Sequence, residues 1–200
     1  MDLTLVNLSP YLTMSGSDSE IASLCREVSS SLKEKGALLI KDPRCSVEDV
    51  NNFVSMIEKY FCSPMEYKLG HQRSNYQAGI TPEGVETPRC MSDKDMQEKM
   101  KELLEENRPS APLGPDVKWR YSWTPQNRSQ EPVIPEGFPE WEERMDLWGN
   151  KMIAALEVVA EMAALGFGFP KDAFTSLMNQ GVSSNLDLTN MVIKIDYYYF

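Results

Sequence analysis

The spacing of hydrophobic positions near the N-terminus predicts a strand, a helix and a second strand. Residues Leu3 to Leu8 alternate between apolar and polar, as in a half-buried strand. Ser17 to Glu20 form a capping-box pattern, in which a serine and a glutamate three residues later each satisfy a free backbone N–H group. Apolar residues then recur at helical spacing from 21 to 32, and Gly36 suits the left-handed position that ends a helix. Ala37 to Ile40 is a short apolar run, which predicts the second strand.

Two longer amphipathic patterns predict the main helices of the remaining chain. One begins at Ser46, with Asp49 three residues later, and its buried stripe is predicted to comprise Val50, Phe53, Val54, Ile57 and Phe61. The other runs from Glu140 to Leu165, where the apolar residues recur at steps of three and four: Trp141, Met145, Trp148, Met152, Leu156, Val159 and Ala163. Shorter helices are predicted to start at Pro64, to cover 93–107 on the surface, and to cover 172–178.

Glycine and proline mark the segments that separate these helices. Residues 70–90 have the composition of a loop. Residues 109–139 contain seven prolines together with Trp119, Tyr121 and Trp123. Because closely spaced aromatic side chains are usually buried, we interpret residues 109–139 as irregular but packed.

Composition and charge exclude several classes of partner. The formal net charge of −10 disfavours nucleic acid and anionic membrane surfaces. There is no run of eighteen apolar residues, and the first fourteen residues lack the features of a signal peptide, so we expect a cytoplasmic protein without a membrane segment. The cysteines at 25, 45, 62 and 90 form no Cys-x-x-Cys pair, and reduced thiols are expected.

The chain has a single histidine, His71, which limits its metal chemistry. It is followed by Gln72 and Arg73, and we interpret it as a loop histidine near the surface. No nucleophile elbow or phosphate-binding loop is present either. We therefore assign no catalytic, cofactor-binding or metal-binding residue.

The order of these segments resembles the N-terminal region of the isopenicillin N synthase-like family of non-haem iron(II)/2-oxoglutarate dioxygenases. The resemblance is carried by Leu5–Ser9, Gly36–Ile40, Tyr60–Lys68 with its two aromatics, proline, glutamate and lysine, Tyr76–Gly84, and the segment from Trp119 to the end of the long helix. It departs from the family at Asn75, where glycine is usual, and at Asp42, near where the family often has Asn-His-Gly.

The resemblance implies an α+β fold. A helix-rich N-terminal layer with a few short strands would pack on a double-stranded β-helix, the jelly roll, which is largely absent here. In the family, iron is held by His-x-Asp/Glu and a distant second histidine, and 2-oxoglutarate by an Arg-x-Ser motif. Neither Arg73-Ser74 nor Arg128-Ser129 matches that motif.

The functional hypothesis is therefore a truncated family member. Its complete parent would bind Fe(II) and 2-oxoglutarate and would hydroxylate or desaturate a small molecule, whereas this chain would be catalytically inactive. Asn75 and Tyr76 are the candidate substrate-pocket residues that it retains. The alternative is a non-catalytic interaction or regulatory module that binds a partner through the surface meant for the jelly roll, with hydrophobic self-association as a further expectation.

The sequence predicts two segments, a domain and a C-terminal tail. Residues 1–181 form the dioxygenase-like domain, and 182–200 form a divergent tail. The last eleven residues are dominated by types with AT-rich codons, which suggests a translated intron. The same residues favour β-structure, so a native strand is the alternative.

Overall fold

Helices dominate the fold, and the strands between them are short. The computed structural model describes residues 2–76, 78–125 and 131–179, together with the backbone of 193–197. In chain order the elements are β1 (Leu5–Asn7), α1 (Ser9–Thr13), α2 (Asp18–Lys35), β2 (Leu39–Lys41), α3 (Val47–Phe61), α4 (Met65–Leu69), β3 (Gly79–Thr81), α5 (Arg89–Ser92), α6 (Lys94–Glu102), a 3-10 turn (Glu105–Asn107), β4 (Trp119–Trp123), α7 (Trp141–Gly166), α8 (Thr175–Asn179) and β5 (Ile193–Tyr197). The predicted α+β class, rich in helix with few short strands, is confirmed.

Helix α2 begins and ends as its sequence predicts. The Ser17 hydroxyl accepts a bond from the Glu20 N–H (3.3 Å), and the Glu20 carboxylate accepts one from the Ser17 N–H (2.8 Å), which completes the capping box. At the other end Gly36 adopts a left-handed conformation (φ 70°), and its N–H bonds to the Leu32 carbonyl. Local chemistry therefore determines both ends of this helix.

The described residues fall into two compact units. The first comprises residues up to 55, residues 124–125 and residues from 142 to 179; the second comprises 56–123, 131–141 and the β5 backbone. In the first unit β1 and β2 form a parallel pair, with Leu5 opposite Leu39 and Val6 opposite Ile40. Its core consists of Val6, Leu8, Tyr11, Ile21, Cys25, Val28, Val158, Met162 and Ala163.

Helices α2 and α7 approach each other closely at Gly166. A β-carbon at this position would lie 2.6 Å from the Ser29 hydroxyl and 2.7 Å from the Cys25 carbonyl carbon, and nearer still to the Cys25 carbonyl oxygen. These distances leave no room for a side chain. Gly166, which directly follows the predicted end of the long helix, therefore permits close backbone contact between α2 and α7.

The stripe predicted for α3 is only partly correct. Val50 and Val54 are 37% and 41% exposed. The buried side chains of this helix are Phe53, Met56, Ile57, Tyr60 and Phe61. Phe53 stacks on Trp148 of α7, with ring centroids 4.6 Å apart, and this contact within the first unit covers the Phe53 side of α3.

The second unit contains a sheet that the sequence analysis did not predict. Strand β4 pairs antiparallel with both β3 and β5, with Tyr121 opposite Ile80 on one side and Ile195 on the other. The interpretation of 70–90 and 109–139 as wholly irregular was therefore wrong. The expectation that the second segment packs is confirmed for Trp119, Tyr121 and Trp123, which are all buried, but not for its first residues, where Leu113 and Val117 are exposed.

One predicted helix boundary also changes. The surface helix ends at Glu102 rather than Asn107, and Leu103 and Leu104 are exposed beyond its end. In the tail, the backbone of 193–197 forms a strand, in agreement with the native-strand alternative. Arg128-Ser129 and the tail residues other than 193–197 lie outside the described residues. Within the described ranges, no helix is long and apolar enough to cross a membrane.

Candidate functional site

The described side chains form no metal site. Among residues 2–76, 78–125 and 131–179, no three His, Cys, Asp or Glu side chains come together in a way that could hold a metal ion. The full sequence contains one histidine, so a centre of two histidines and a carboxylate cannot be built from this chain alone.

His71 lies in a turn, in agreement with its interpretation as a loop residue, and its ring packs against an aromatic cluster. It is half-buried, and its Nδ1 atom is 3.3 Å from the Tyr60 hydroxyl. Its ring meets Tyr67 edge-on, with centroids 4.7 Å apart. Burial lowers the pKa of His71, and the charge of Glu136 opposes that shift without overcoming it. The side chain is therefore expected to be neutral at pH 7.

The cluster around His71 is centred on Tyr60, which is fully buried. The Tyr60 ring contacts Phe61, Tyr67, Tyr121, Phe138 and Trp141, with centroids between 5.0 and 6.2 Å away. Burial also raises the pKa of Tyr60 and of Tyr121 well above the usual tyrosine value. Both phenols therefore stay protonated and act in hydrogen bonds, and the Tyr121 hydroxyl donates to the Val133 carbonyl (2.6 Å).

Lys68 carries a charge into this region. It is only 3% exposed, and its Nζ atom donates to the carbonyl of Phe61, the last residue of α3 (2.8 Å). The same atom lies 4.4 Å from the centroid of the Trp119 ring. A cation at the C-terminus of a helix stabilises the exposed carbonyl groups there, and the aromatic face adds a cation–π interaction. In the sequence, this lysine stands out only as part of the motif from Tyr60 to Lys68.

The two predicted pocket residues lie in the turn after His71. Tyr76 has a left-handed backbone (φ 53°), which is uncommon outside glycine. Its N–H bonds to the Arg73 carbonyl (3.2 Å), and its hydroxyl accepts a bond from the Gln72 side-chain amide (3.0 Å). Asn75 is exposed and Tyr76 is half-buried. The structure thus places both residues on one constrained turn, while the contribution of Gln72 was not evident from the sequence.

Gly79 fixes the start of β3 beside this turn. It has a φ of 77°, and a β-carbon there would overlap the His71 carbonyl oxygen and lie 3.0 Å from a methyl group of Val133. Only glycine satisfies both constraints. Gly79 lies in the range whose composition predicts a loop, and it also determines how closely β3 approaches His71.

The first unit exposes apolar surface on α7. Leu156 is 48% exposed, and Trp148, Met152 and Val159 on the same side of the helix are half-buried. We call these four residues the α7 stripe. In the parallel pair of strands, the cross-strand neighbours Leu5 and Leu39 are 62% and 51% exposed.

Solved structures with a similar fold are oxygenases or proteins crystallised with an oxygenase cosubstrate. A full-length Neurospora crassa protein in complex with alpha-KG and thymine superimposes with a TM-score of 0.64 at 19% identity, over 87% of this chain and 51% of that chain. A protein of the 2OG-Fe(II) oxygenase family from Caulobacter crescentus gives 0.61 at 17% identity, over 86% and 51%. JOX2 in complex with 2OG, Fe and JA gives 0.55 at 14% identity, over 99% and 48%. The fold is therefore that of the helix-rich part of these proteins, and the chain spans about half their length.

The sequence identifies the family directly. Residues 3–127 match the family described as the N-terminal region of non-haem dioxygenases, "non-haem dioxygenase in morphine synthesis N-terminal", and the chain belongs to that family. The predicted resemblance is thus confirmed. A comparison with curated proteins finds no match to this chain.

Proposed function

We propose that this chain supplies the N-terminal layer of an iron(II)/2-oxoglutarate-dependent oxygenase and does not itself catalyse the reaction. The observation that carries the proposal is the family match over 3–127, in a chain that spans about half the length of its structural relatives. Two of those relatives are solved with alpha-KG or 2OG together with a small molecule, thymine in one and JA in the other. By analogy, the complete parent would bind Fe(II), 2-oxoglutarate and a small organic substrate, and would hydroxylate or desaturate that substrate.

The residues of this chain do not fit the iron that the family implies. The facial triad needs two histidines and a carboxylate, and the single histidine, His71, directs Nδ1 at the Tyr60 hydroxyl. Carboxylates without a second histidine favour magnesium or calcium rather than redox-active iron. No catalytic step is therefore assigned to this chain.

A turnover assay tests this proposal. The purified 200-residue chain would be incubated with Fe(II), 2-oxoglutarate and ascorbate, and succinate would be measured against a blank without protein. A complete oxygenase of the same family, assayed in parallel, would show that the conditions support turnover. We expect succinate at the blank level. Succinate released in amounts that exceed the protein concentration would refute the proposal.

The β1–β2 pair supports the role as one layer of a larger fold. Parallel strands are found almost only in sheets covered on both faces, and a two-stranded sheet by itself is marginal. Here the pair stands alone among the described strands of the first unit, with Leu5 and Leu39 largely exposed. Further strands of the parent would extend this pair, and its jelly roll would cover the α7 stripe.

Asn75 and Tyr76 remain our proposed substrate-pocket residues in the parent. The left-handed conformation of Tyr76 and its bond to Gln72 support this role, because strained residues often cluster at functional sites. The Tyr76→Phe substitution in a complete parent would remove the bond but keep the ring. We expect a higher KM with kcat little changed; an unaltered KM would count against a pocket role.

The second candidate function is a non-catalytic interaction module, favoured by the exposure of the α7 stripe. In this reading the stripe binds a partner or another copy of the chain, and the protein is located in the cytoplasm. Self-association of the purified chain would support it. A monodisperse monomer that binds no hydrophobic dye would count against it.

The boundary at residue 181 is also a proposal, with a divergent tail at 182–200. The antiparallel pairing of 193–197 with β4 supports a native strand more than a translated intron. Sequencing the gene and its transcripts beyond the codon for Gly181 would distinguish these origins. A spliced transcript whose reading frame differs from this sequence after the codon for Gly181, and which encodes His-x-Asp and a distant histidine, would support the interpretation of the tail as a translated intron.

A further inference from the structure

His71 connects three elements of the second unit. Its side chain meets the Tyr60 hydroxyl of α3 at 3.3 Å. Its backbone N–H donates to the Lys68 carbonyl of α4 (3.0 Å), and its carbonyl accepts a bond from the Ile80 N–H of β3 (3.3 Å). The Gln72–Tyr76 turn follows directly. The position of this turn therefore depends on how His71 is held.

The Tyr60 hydroxyl can donate its proton to His71 only when Nδ1 is unprotonated; a protonated ring could donate from Nδ1 to the phenol oxygen, but the Tyr60 proton would then lose this acceptor. Tyr60 is fully buried, so its hydroxyl proton needs an acceptor inside the protein. Nδ1 of a neutral histidine with its proton on Nε2 can accept that proton, whereas both ring nitrogens of a protonated histidine are donors. Protonation of His71 would therefore remove the acceptor from Tyr60 and place a charge among aromatic rings.

The charged and titratable groups around His71 are few. Tyr60 faces it from α3 and Tyr67 from α4, and Glu136 acts from the segment before α7. Tyr121 of β4 lies behind Tyr60, and Arg73 follows in the turn. Only Glu136 favours the protonated form, and burial outweighs it, so the pKa of His71 lies below its usual value.

We propose that His71 is a pH-sensitive anchor, whose neutral form holds the Gln72–Tyr76 turn against the aromatic cluster and whose protonated form releases it. This inference does not depend on the oxygenase assignment, because it uses only contacts within the second unit. It does identify the turn carrying Asn75 and Tyr76 as the part of the chain that responds to mild acid.

The direction of the effect follows from the depressed pKa. Above the usual histidine pKa of roughly 6.5, the folded and the released forms are both neutral, and the anchor is fully effective. As the pH falls below that value, His71 binds a proton in the released form but not in the anchored form. Anchoring therefore weakens until the pH reaches the pKa of His71 in the anchored form. Protection of the Ile80 amide should fall tenfold for each pH unit between these two values.

Hydrogen exchange measured by mass spectrometry tests the proposal at micromolar concentrations of the full 200-residue chain. Exchange at the C2 carbon of the single histidine reports its pKa, and amide exchange in the peptide containing Ile80 reports release of the turn. We expect the histidine midpoint below its usual value of roughly 6.5, and loss of amide protection over the window between that midpoint and the usual value. A midpoint at or above the usual value would overturn the proposal.

Two variants separate the anchor from general acid unfolding. In His71→Asn, the side-chain oxygen can replace Nδ1 as the acceptor for Tyr60 but does not titrate, so the pH-dependent loss of protection should disappear. In Glu136→Gln, the exposed carboxylate that favours the cation is removed, so the histidine midpoint and the low-pH end of the protection loss should move down together. The same pH dependence in His71→Asn, or a histidine midpoint that Glu136→Gln leaves unmoved, would overturn the proposal.

Discussion

Replacing Leu156 by serine should reduce self-association of the chain without disturbing its fold. Leu156 is 48% exposed and belongs to the α7 stripe, with half-buried Met152 and Val159 nearby. In the proposed parent this stripe is covered by the jelly roll. In the isolated chain, we expect this stripe to pack against the same stripe of another molecule.

The magnitude follows from the surface that remains to be buried. Complete burial of a leucine side chain contributes about 1.5–3 kcal/mol. Because roughly half of Leu156 is already covered, contact with a second molecule adds about 0.7–1.5 kcal/mol for each copy. That free energy corresponds to a roughly 3- to 12-fold change in the association constant for each Leu156 that is buried.

Leu147 provides a matched control on the same helix. It is 47% exposed, but nine residues separate it from Leu156, which places it on the opposite side of α7. The side chains one turn away, Glu143 and Lys151, are polar, so Leu147 is an ordinary isolated surface leucine.

Sedimentation velocity over a range of concentrations would measure the association constant of the wild-type chain and both serine variants, and circular dichroism would check their helix content. We expect weaker association for Leu156→Ser and no change for Leu147→Ser. An equal loss of association in both variants would mean that association is non-specific, and our assignment of the α7 stripe as the surface to be covered would be wrong.

Three further substitutions test the structure itself. Gly166→Ala should lower the free energy of opening of α2, measured by amide exchange, by about 1–3 kcal/mol, because the new methyl group overlaps the facing backbone. Gly114→Ala is the control: a β-carbon there meets nothing within 4 Å, so the same free energy should not change. Lys68→Met should lower the free energy of opening of α3 by about 1–3 kcal/mol. The variant loses a charge-assisted hydrogen bond and a cation–π contact, although it also avoids the cost of burying a charge. A variant more stable than the wild type would show that the cost of burying the charge is the larger effect. Hydrogen bonds from Lys151 and from Ser46 at the start of α3 lower the pKa of Asp49 to about 2. The stabilising effect of Asp49 should therefore be complete above the usual pKa of 3.8 and be lost as the pH falls toward 2. An acid-unfolding profile of Asp49→Asn that matches the wild type would contradict this.

Features determined by adjacent residues were predicted from the sequence, and features determined by distant contacts were not. The capping box at Ser17 and the left-handed Gly36 depend on residues within one helical turn, and both are confirmed. Strand β4 contains alternating aromatics, but the surrounding prolines dominated the interpretation, and its partner β3 is only three residues long. The exposure of Val50 and Val54 likewise depends on the stacking of Phe53 against α7, a contact between helices far apart in the sequence.

The candidate site shows the same division. Asn75 and Tyr76 were selected because they lie in a loop that resembles one of the family's and loops often carry functional residues. No local pattern predicts the left-handed Tyr76 or its bond to Gln72. His71 was interpreted as a loop residue near the surface, and the loop-like composition of 70–90 does not show what its ring contacts. Its aromatic surroundings come from α3 and α4, and only the tertiary structure brings them together.

The thermal unfolding of the 200-residue chain tests most directly whether it is one layer of a larger fold. Circular dichroism and light scattering would be recorded together on heating and on cooling, at several protein concentrations. With Leu156 of the α7 stripe exposed and the edges of the β1–β2 pair open, we predict poor solubility, a broad transition that depends on concentration, and no recovery on cooling. A single sharp and reversible transition in a soluble monomer would show that these residues fold autonomously, and would contradict the account.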